Sequence, residues 1–211
     1  MNTRRIAAAA ALASLAAAAA GDGWLLPINA ADRRCWSEVR LTPIGRFGIE
    51  RRARPKIPAH LHTGVDIRRP RGSGGEEPVF PAAPGVVVSV RDDGPFAQVI
   101  VEHRLPDGRG VWSVYEHVAG IAVAPGDTVS PLVPIARFLN LGELDRHGHQ
   151  FDHLHFEIMR TPPTALPPDP GLPRRRFATR ALECHDRALL ERHYFDPRAL
   201  LEARWHEAAG E

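Results

Sequence analysis

Lysine is almost absent from these 211 residues: among 27 basic side chains only Lys56 is one, and arginine supplies the rest. Net charge is scarce as well, at +2. The basic runs (Arg51-Arg52, Arg68-Arg69 and Arg174 to Arg176) are short and scattered, so they read as solvated faces, and nucleic acid is not an expected partner. Cysteine occurs twice, in each case without a second Cys or a His at zinc-motif spacing, which argues against a cysteine-based metal site. Long apolar runs are missing too, apart from residues 6–20. That stretch is Ala-rich and too short to span a bilayer stably. Preceded by Arg4 and Arg5, it has the form of a secretory signal, with cleavage after Ala20, or as late as Ala30 if Trp24 to Ile28 belongs to it. A periplasmic or secreted protein without stable membrane insertion is the expectation.

Export places Cys35 and Cys184 in an oxidising compartment, where a bridge between them is expected. It would close a loop of about 150 residues and contribute roughly 4 to 5 kcal/mol in the chain-entropy description.

What is present is organised in three parts after the signal. Residues 21–44 read as an irregular lead-in. Residues 45–160 contain short runs rich in Val, Ile and aromatics, separated by turn sequences such as Asp93-Gly94-Pro95, Pro106-Asp107-Gly108 and Pro125-Gly126-Asp127. This pattern predicts a mainly β domain, an antiparallel sheet or barrel-sandwich. Residues 161–211 begin with a Pro-rich connector at 162–173, followed by helical spacing over 177–192 and 197–207, the latter with Asp196 as N-cap and Pro197 at the first position. These C-terminal helices are expected to pack on the β domain.

Eleven histidines are many for this length, and three segments concentrate them with other ligand types. His62 and Asp66 are four residues apart, about 13 Å on a straight strand, so they can share an ion only across a bend, which Gly64 permits. In His153-Leu154-His155-Phe156-Glu157-Ile158, strict alternation sends Leu154, Phe156 and Ile158 to one face and His153, His155 and Glu157 to the other. Along residues 111–118, the same alternation groups Ser113, Tyr115 and His117 opposite Trp112, Val114 and Glu116. Each segment alone has an ordinary structural reading, and their combination is far more specific. His147 and His149 lie in "LGELDRHGHQFD", which reads as a mobile, solvated loop, and residues 70–77 read as a second flexible rim.

In combination the segments resemble the lysostaphin or LytM-domain zinc metalloendopeptidases, a family of peptidoglycan hydrolases. "HTGVDI" is similar to the family's first motif and "HLHFEI" to its last. "PVFPAAPGVVVSV", "VIVEH", "VYEHV" and "VAPGDTV" are similar to the hairpin, central strands and turn between them, and "FDPRALL" to a closing segment. The resemblance implies one zinc ion on His62, Asp66 and His155, with His117 and His153 as catalytic histidines. Tyr115 and His103 read as structural residues or as supports for the ligands, and are further candidates for meeting substrate. It also implies hydrolysis of a peptide bond in peptidoglycan stems or cross-links, with D-Ala to meso-diaminopimelate as the expected bond. The alternative is a non-catalytic regulator on the same fold, such as an activator of a cell-wall amidase.

Overall fold

The computed structural model describes residues 23–70 and 76–210. The signal sequence expected at residues 1–20 and most of the rim expected at 70–77 lie outside these residues. Seven strands form one antiparallel sheet: β1 (Gly64–Arg68), β2 (Gly85–Arg91), β3 (Gln98–Arg104), β4 (Gly110–Glu116), β5 (Thr128–Val129), β6 (His153–Met159) and β7 (Tyr194–Phe195). Their order is β5-β2-β3-β4-β6, and the outer edge of β6 is shared by β1 along residues 153–157 and β7 at Ile158 and Met159. β6 is therefore hydrogen-bonded on both sides, which makes it a rigid mount for anything it carries. A smaller three-stranded sheet joins Pro78–Val79, Ala136–Phe138 and Val118–Ala119.

Alternation along the Val- and Ile-rich strands gives each sheet face its own apolar cluster. The larger gathers Val99 and Val101 of β3, Val111 and Tyr115 of β4, and Leu154, Phe156 and Ile158 of β6. The smaller, on the other face, gathers Ile100, Val114, Met159, Cys184, Leu190 and Tyr194. The lead-in is more than irregular chain. Trp24, Leu26 and Ile28 are buried in the larger cluster, and Ile28 bridges to Val79.

The C-terminal helices do pack on the sheet. Helix α2 (Arg187–His193) places Leu190 in the smaller cluster, and α3 (Pro197–Ala209) places Leu201 in the larger. Asp196 caps α3 by accepting from the Arg198 amide, with Pro197 in the first turn as expected. The first helix is shorter than the spacing over 177–192 suggests. The amides of Arg176 and Phe177 donate to Ser89 Oγ on β2, so that stretch is tied down as extended chain, and the helix starts only after its cap, Asp186.

The expected Cys35–Cys184 bridge is not formed: both thiols are free. Cys184 is buried in the smaller cluster, whereas the Trp36 turn that follows Cys35 packs on the larger one, across the sheet. Burial, aided by the neighbouring Glu157, pushes the Cys184 thiol up to about 12, which makes it unreactive packing rather than a nucleophile.

Candidate metal centre

The register of three strands builds the site. Asp66 of β1 lies directly opposite His155 of β6, and His155 is flanked on its other side by Glu116 of β4. His62 precedes β1, where the chain leaves the short strand His60–Leu61 and turns into the sheet. That turn, at residues 62–63, closes the four-residue gap and brings His62 Nε2 within 3.0 Å of Asp66 Oδ1. Gly64 has a different role from the bend expected of it. It is the first residue of β1, and a Cβ there would run into the Phe156 carbonyl of β6, so glycine permits close strand approach. On the outer side of β1, the Asp66 amide donates to Gly45 O at 2.9 Å and its carbonyl accepts from Thr42 at 3.0 Å. Asp66 is thus fixed from both edges.

Three donor atoms converge. His155 Nδ1 is 2.9 Å from Asp66 Oδ1, His62 Nε2 is 3.0 Å from His155 Nδ1, and the set can hold a metal ion. Each donor is oriented by a partner behind it. His62 Nδ1 is 2.9 Å from Arg46 O and must carry the proton, which leaves Nε2 as the lone pair. His155 Nε2 is 3.0 Å from Glu157 Oε1, which likewise leaves Nδ1 facing Asp66. Arg51 Nη2 donates to Asp66 Oδ2 at 2.7 Å, so the carboxylate offers its other oxygen. Glu157 is itself buried and accepts from Thr63 Oγ1.

The electrostatics suit this geometry. Burial alone would raise the Asp66 carboxyl, but the facing imidazoles, His155 first and His62 after it, hold it far below the carboxylate range. Burial opposes charge on His155, yet Asp66 and Glu157 carry it well above an ordinary imidazole. His62 is lowered by burial. The pattern is that of a proton standing where a cation would sit between a carboxylate and two imidazoles. A tetrahedral zinc with ligands at about 2.1 Å would need donors roughly 3.4 Å apart, so these atoms fit after opening by about 0.4 Å.

His153 and His117 border the same centre. His153 Nε2 is 3.6 Å from Asp66 Oδ1, and burial lowers the ring to about 4. The rings of His117 and His153 meet edge-on at 4.8 Å between centroids. Strand alternation predicts that His117 follows Tyr115 onto the opposite face, and the structure overturns this. β4 ends at Glu116, and His117 takes a left-handed backbone with φ 62°, which resets the alternation and swings its ring into the cleft. Nδ1 then lies 2.6 Å from Pro95 O, and Phe96 and Phe151 pack around the ring.

The centre opens into a groove of about 1250 Å³ that runs past Arg68, Phe96, Gln150 and Phe151. No residue of α2 or α3 lines it, so the C-terminal helices leave it uncovered among the described residues.

Residues 60–168, more than half of the chain, match the profile of peptidase family M23. The chain belongs to peptidase family M23. Solved structures similar to this M23 chain include a zinc-containing peptidase from Vibrio cholerae, with 22% identity, 57% of this chain and 33% of that one covered, and a TM-score of 0.39. Lysostaphin in solution is 16% identical, with 87% and 56% covered and a TM-score of 0.49. LytU is 22% identical, with 58% and 74% covered and a TM-score of 0.39. This chain therefore spans a third of the Vibrio protein and just over half of the lysostaphin chain. No curated protein matches it.

Two residues singled out from the sequence stand elsewhere in this M23 fold. Tyr115 and His103 are fully buried on the larger-core face, away from the metal-donor face. There the Ala82 amide donates to Tyr115 Oη at 2.7 Å, Ser113 Oγ lies 2.8 Å from that hydroxyl, and His103 Nε2 lies 2.7 Å from Ser113 Oγ. His103 Nδ1 reaches Pro84 O at 2.8 Å. The chain is satisfied by a neutral imidazole, and burial lowers His103 from 6.5 to about 4. A protonated His103 is thus favoured in the unfolded chain, and stability is lost as pH falls between those two values. Compared with a His103→Gln variant, the wild type is expected to keep a constant stability difference above pH 6.5 and lose about 3 kcal/mol of it by pH 4. Urea unfolding across that range checks the sign; a difference that stays flat would contradict it.

The expected mobile loop is instead ordered. Asn140 and Glu143 form a capping box that starts α1 (Leu141–His147), and Leu144 beneath it is fully buried. His149 pairs with Asp145 at 3.0 Å, on the exposed surface. Residues that sequence reasoning passed over are Arg51, which no local pattern ties to Asp66, and Glu157, which alternation had already placed on the His153 and His155 face.

Proposed function

We propose that this M23 chain is an exported zinc metalloendopeptidase that hydrolyses peptide bonds in peptidoglycan stems or cross-links. The observation that carries the proposal is the convergence of His62 Nε2, Asp66 Oδ1 and His155 Nδ1, with His117 and His153 beside them. Two imidazoles and a carboxylate are a donor set suited to zinc, and three protein donors leave a position for water, as catalytic zinc requires. Bound there, zinc supplies an acidified water near neutral pH and a Lewis acid for the scissile carbonyl. His62, Asp66 and His155 hold it.

His153 and His117 handle protons. Both are lowered by burial, so both are neutral at pH 7, and a backbone carbonyl accepts from each: Gln150 from His153 and Pro95 from His117. Each ring therefore keeps one acceptor nitrogen available in the cleft. One accepts the proton released as water attacks; as imidazolium it then donates to the leaving amine. The other, if protonated, donates to the developing oxyanion. D-Ala to meso-diaminopimelate is the proposed bond. A non-catalytic regulator needs neither the donor set nor these two histidines, and this chain has all five.

Export is part of the proposal. No described helix is long and apolar enough to cross a membrane. Burial of Trp24, Leu26 and Ile28 supports cleavage near Ala20 over Ala30, which would remove three core side chains. The N-terminal mass of the exported protein decides between them.

Glu157 orients His155, so Glu157→Ala is expected to weaken zinc 10- to 100-fold by competition against a chelator. Unchanged affinity would remove Glu157 from the account. The function itself is tested by incubating zinc-loaded protein with purified sacculi and identifying new peptide termini by mass spectrometry. Wild type is expected to release cross-links and His153→Ala is not. Intact sacculi in both cases, with one zinc bound per chain, would favour the regulator.

A further inference from the structure

The groove beside the metal centre is strongly asymmetric in charge. Six arginines line it (Arg40, Arg51, Arg52, Arg54, Arg68 and Arg69), against four carboxylates. Two of the carboxylates are paired, Asp66 with Arg51 and Asp152 with Arg69, which leaves Glu50 and Glu116, the latter accepting from the neutral Gln98 amide, against four further arginines. Arg52, Arg54 and Arg68 are exposed and form no ion pair among the described residues. A chain with a net charge of +2 thus gathers uncompensated positive charge at one wall of one groove.

The wall has a defined structure. Glu50–Arg51 pairs with His60–Leu61, and Arg54 and Ile57 close the arm with reciprocal amide-to-carbonyl bonds of 2.9 Å. Lys56, the only lysine, sits in the arm's turn with φ 66°. Arg51 anchors the arm to the centre through Asp66. From the sheet side, Arg68 shares a face with Asp66 on β1 and lies directly opposite His153. A peptide whose scissile bond rests over His153 therefore brings its neighbouring residues against arginine on both sides. Guanidinium groups pair bidentately with carboxylates, and like charges crowded without partners repel until an anion binds.

We propose that the arm of residues 50–61 and Arg68 form a carboxylate-binding wall. The substrate is then a peptide with free carboxylates on the residues flanking the scissile bond, such as a stem cross-link containing diaminopimelate, rather than a neutral oligoglycine bridge. This rests on the endopeptidase reading and specifies its substrate class. The test measures binding, so it does not depend on turnover. A cross-linked stem dimer is prepared with its carboxylates free, amidated only at the chain terminus, amidated only at diaminopimelate, or amidated throughout. Each is titrated by calorimetry into zinc-loaded His153→Ala protein, with and without the additional pair Arg52→Gln and Arg68→Gln.

The free form is expected to bind about tenfold tighter than the fully amidated form, with the advantage shrinking in high salt. The arginine pair is expected to erase that advantage, and Arg109→Gln, in a distant turn, is expected to leave it intact. The singly amidated forms assign the carboxylate responsible. Equal binding of free and fully amidated peptides would overturn the proposal, as would a preference that survives the arginine changes. If the arginine variant fails to fold, the comparison of peptides on the parent protein still decides. Absent cleavage of sacculi with this preference present would count against the endopeptidase reading alone.

Discussion

Replacing Asp66 with alanine is expected to lower zinc affinity by about 10³-fold and to take hydrolysis of sacculi below detection. Structural zinc sites bind with roughly 10 to 16 kcal/mol spread over their ligands, so one of three protein donors accounts for about 3 to 4 kcal/mol or more. Asp66 supplies Oδ1 to the centre, and its Oδ2 compensates Arg51, so truncation also leaves a guanidinium beside the vacated position. Asp66→Asn keeps the shape and one oxygen but not the charge, and its loss is expected to lie between alanine and wild type. Chelator competition and sacculus digestion on the same preparations check both. Wild-type zinc affinity in Asp66→Ala would remove this residue from the metal site and the register argument with it.

The second large effect concerns His117. The left-handed backbone at φ 62° costs a non-glycine residue roughly 1 to 2 kcal/mol, and strain of this kind persists only where the surroundings hold it. His117→Ala and His117→Gly both remove the imidazole, so both are expected to lose about 10²- to 10⁴-fold in rate, with zinc affinity unchanged. They should part company in stability. Alanine retains the backbone strain and glycine does not, so the glycine variant is expected to be the more stable by about 1 kcal/mol, the reverse of the usual order within strands. Thermal unfolding of the pair reads this directly. An alanine variant equal to or more stable than the glycine variant would show that the strained backbone is not what aims the ring.

His117 also shows where sequence reading stops. Period-two alternation is legible wherever a strand continues, and it correctly sorted His153, His155 and Glu157 from Leu154, Phe156 and Ile158. It failed at His117 because one positive φ angle inverts the pattern, and nothing in a histidine announces that. Tyr115 lies before that break, and alternation sorted it correctly from Trp112 and Val114: it belongs to the core face, and His103 joins it through Ser113. The closeness of His62 and Asp66 was legible, but its cause was not. The turn falls one residue before Gly64, whose need is set by the Phe156 carbonyl on a strand some ninety residues away in sequence. The helix at 141–147 was readable in principle, since Asn140 and Glu143 have capping-box spacing, but charge and glycine around them suggested a solvated loop. The disulfide could not be judged from compartment alone, because which sheet face each Cys approaches is a tertiary fact. Arg51 reaches Asp66 from a separate hairpin, and no local pattern carries that contact.

The most direct measurement is zinc-edge X-ray absorption on stoichiometrically loaded protein, with wild type and Asp66→Ala compared. One zinc per chain is expected, with nitrogen and oxygen donors at about 2.0 to 2.1 Å, two of them imidazoles, and loss of tight binding in the variant. A sulfur donor at about 2.3 Å, or an unchanged spectrum in Asp66→Ala, would contradict it.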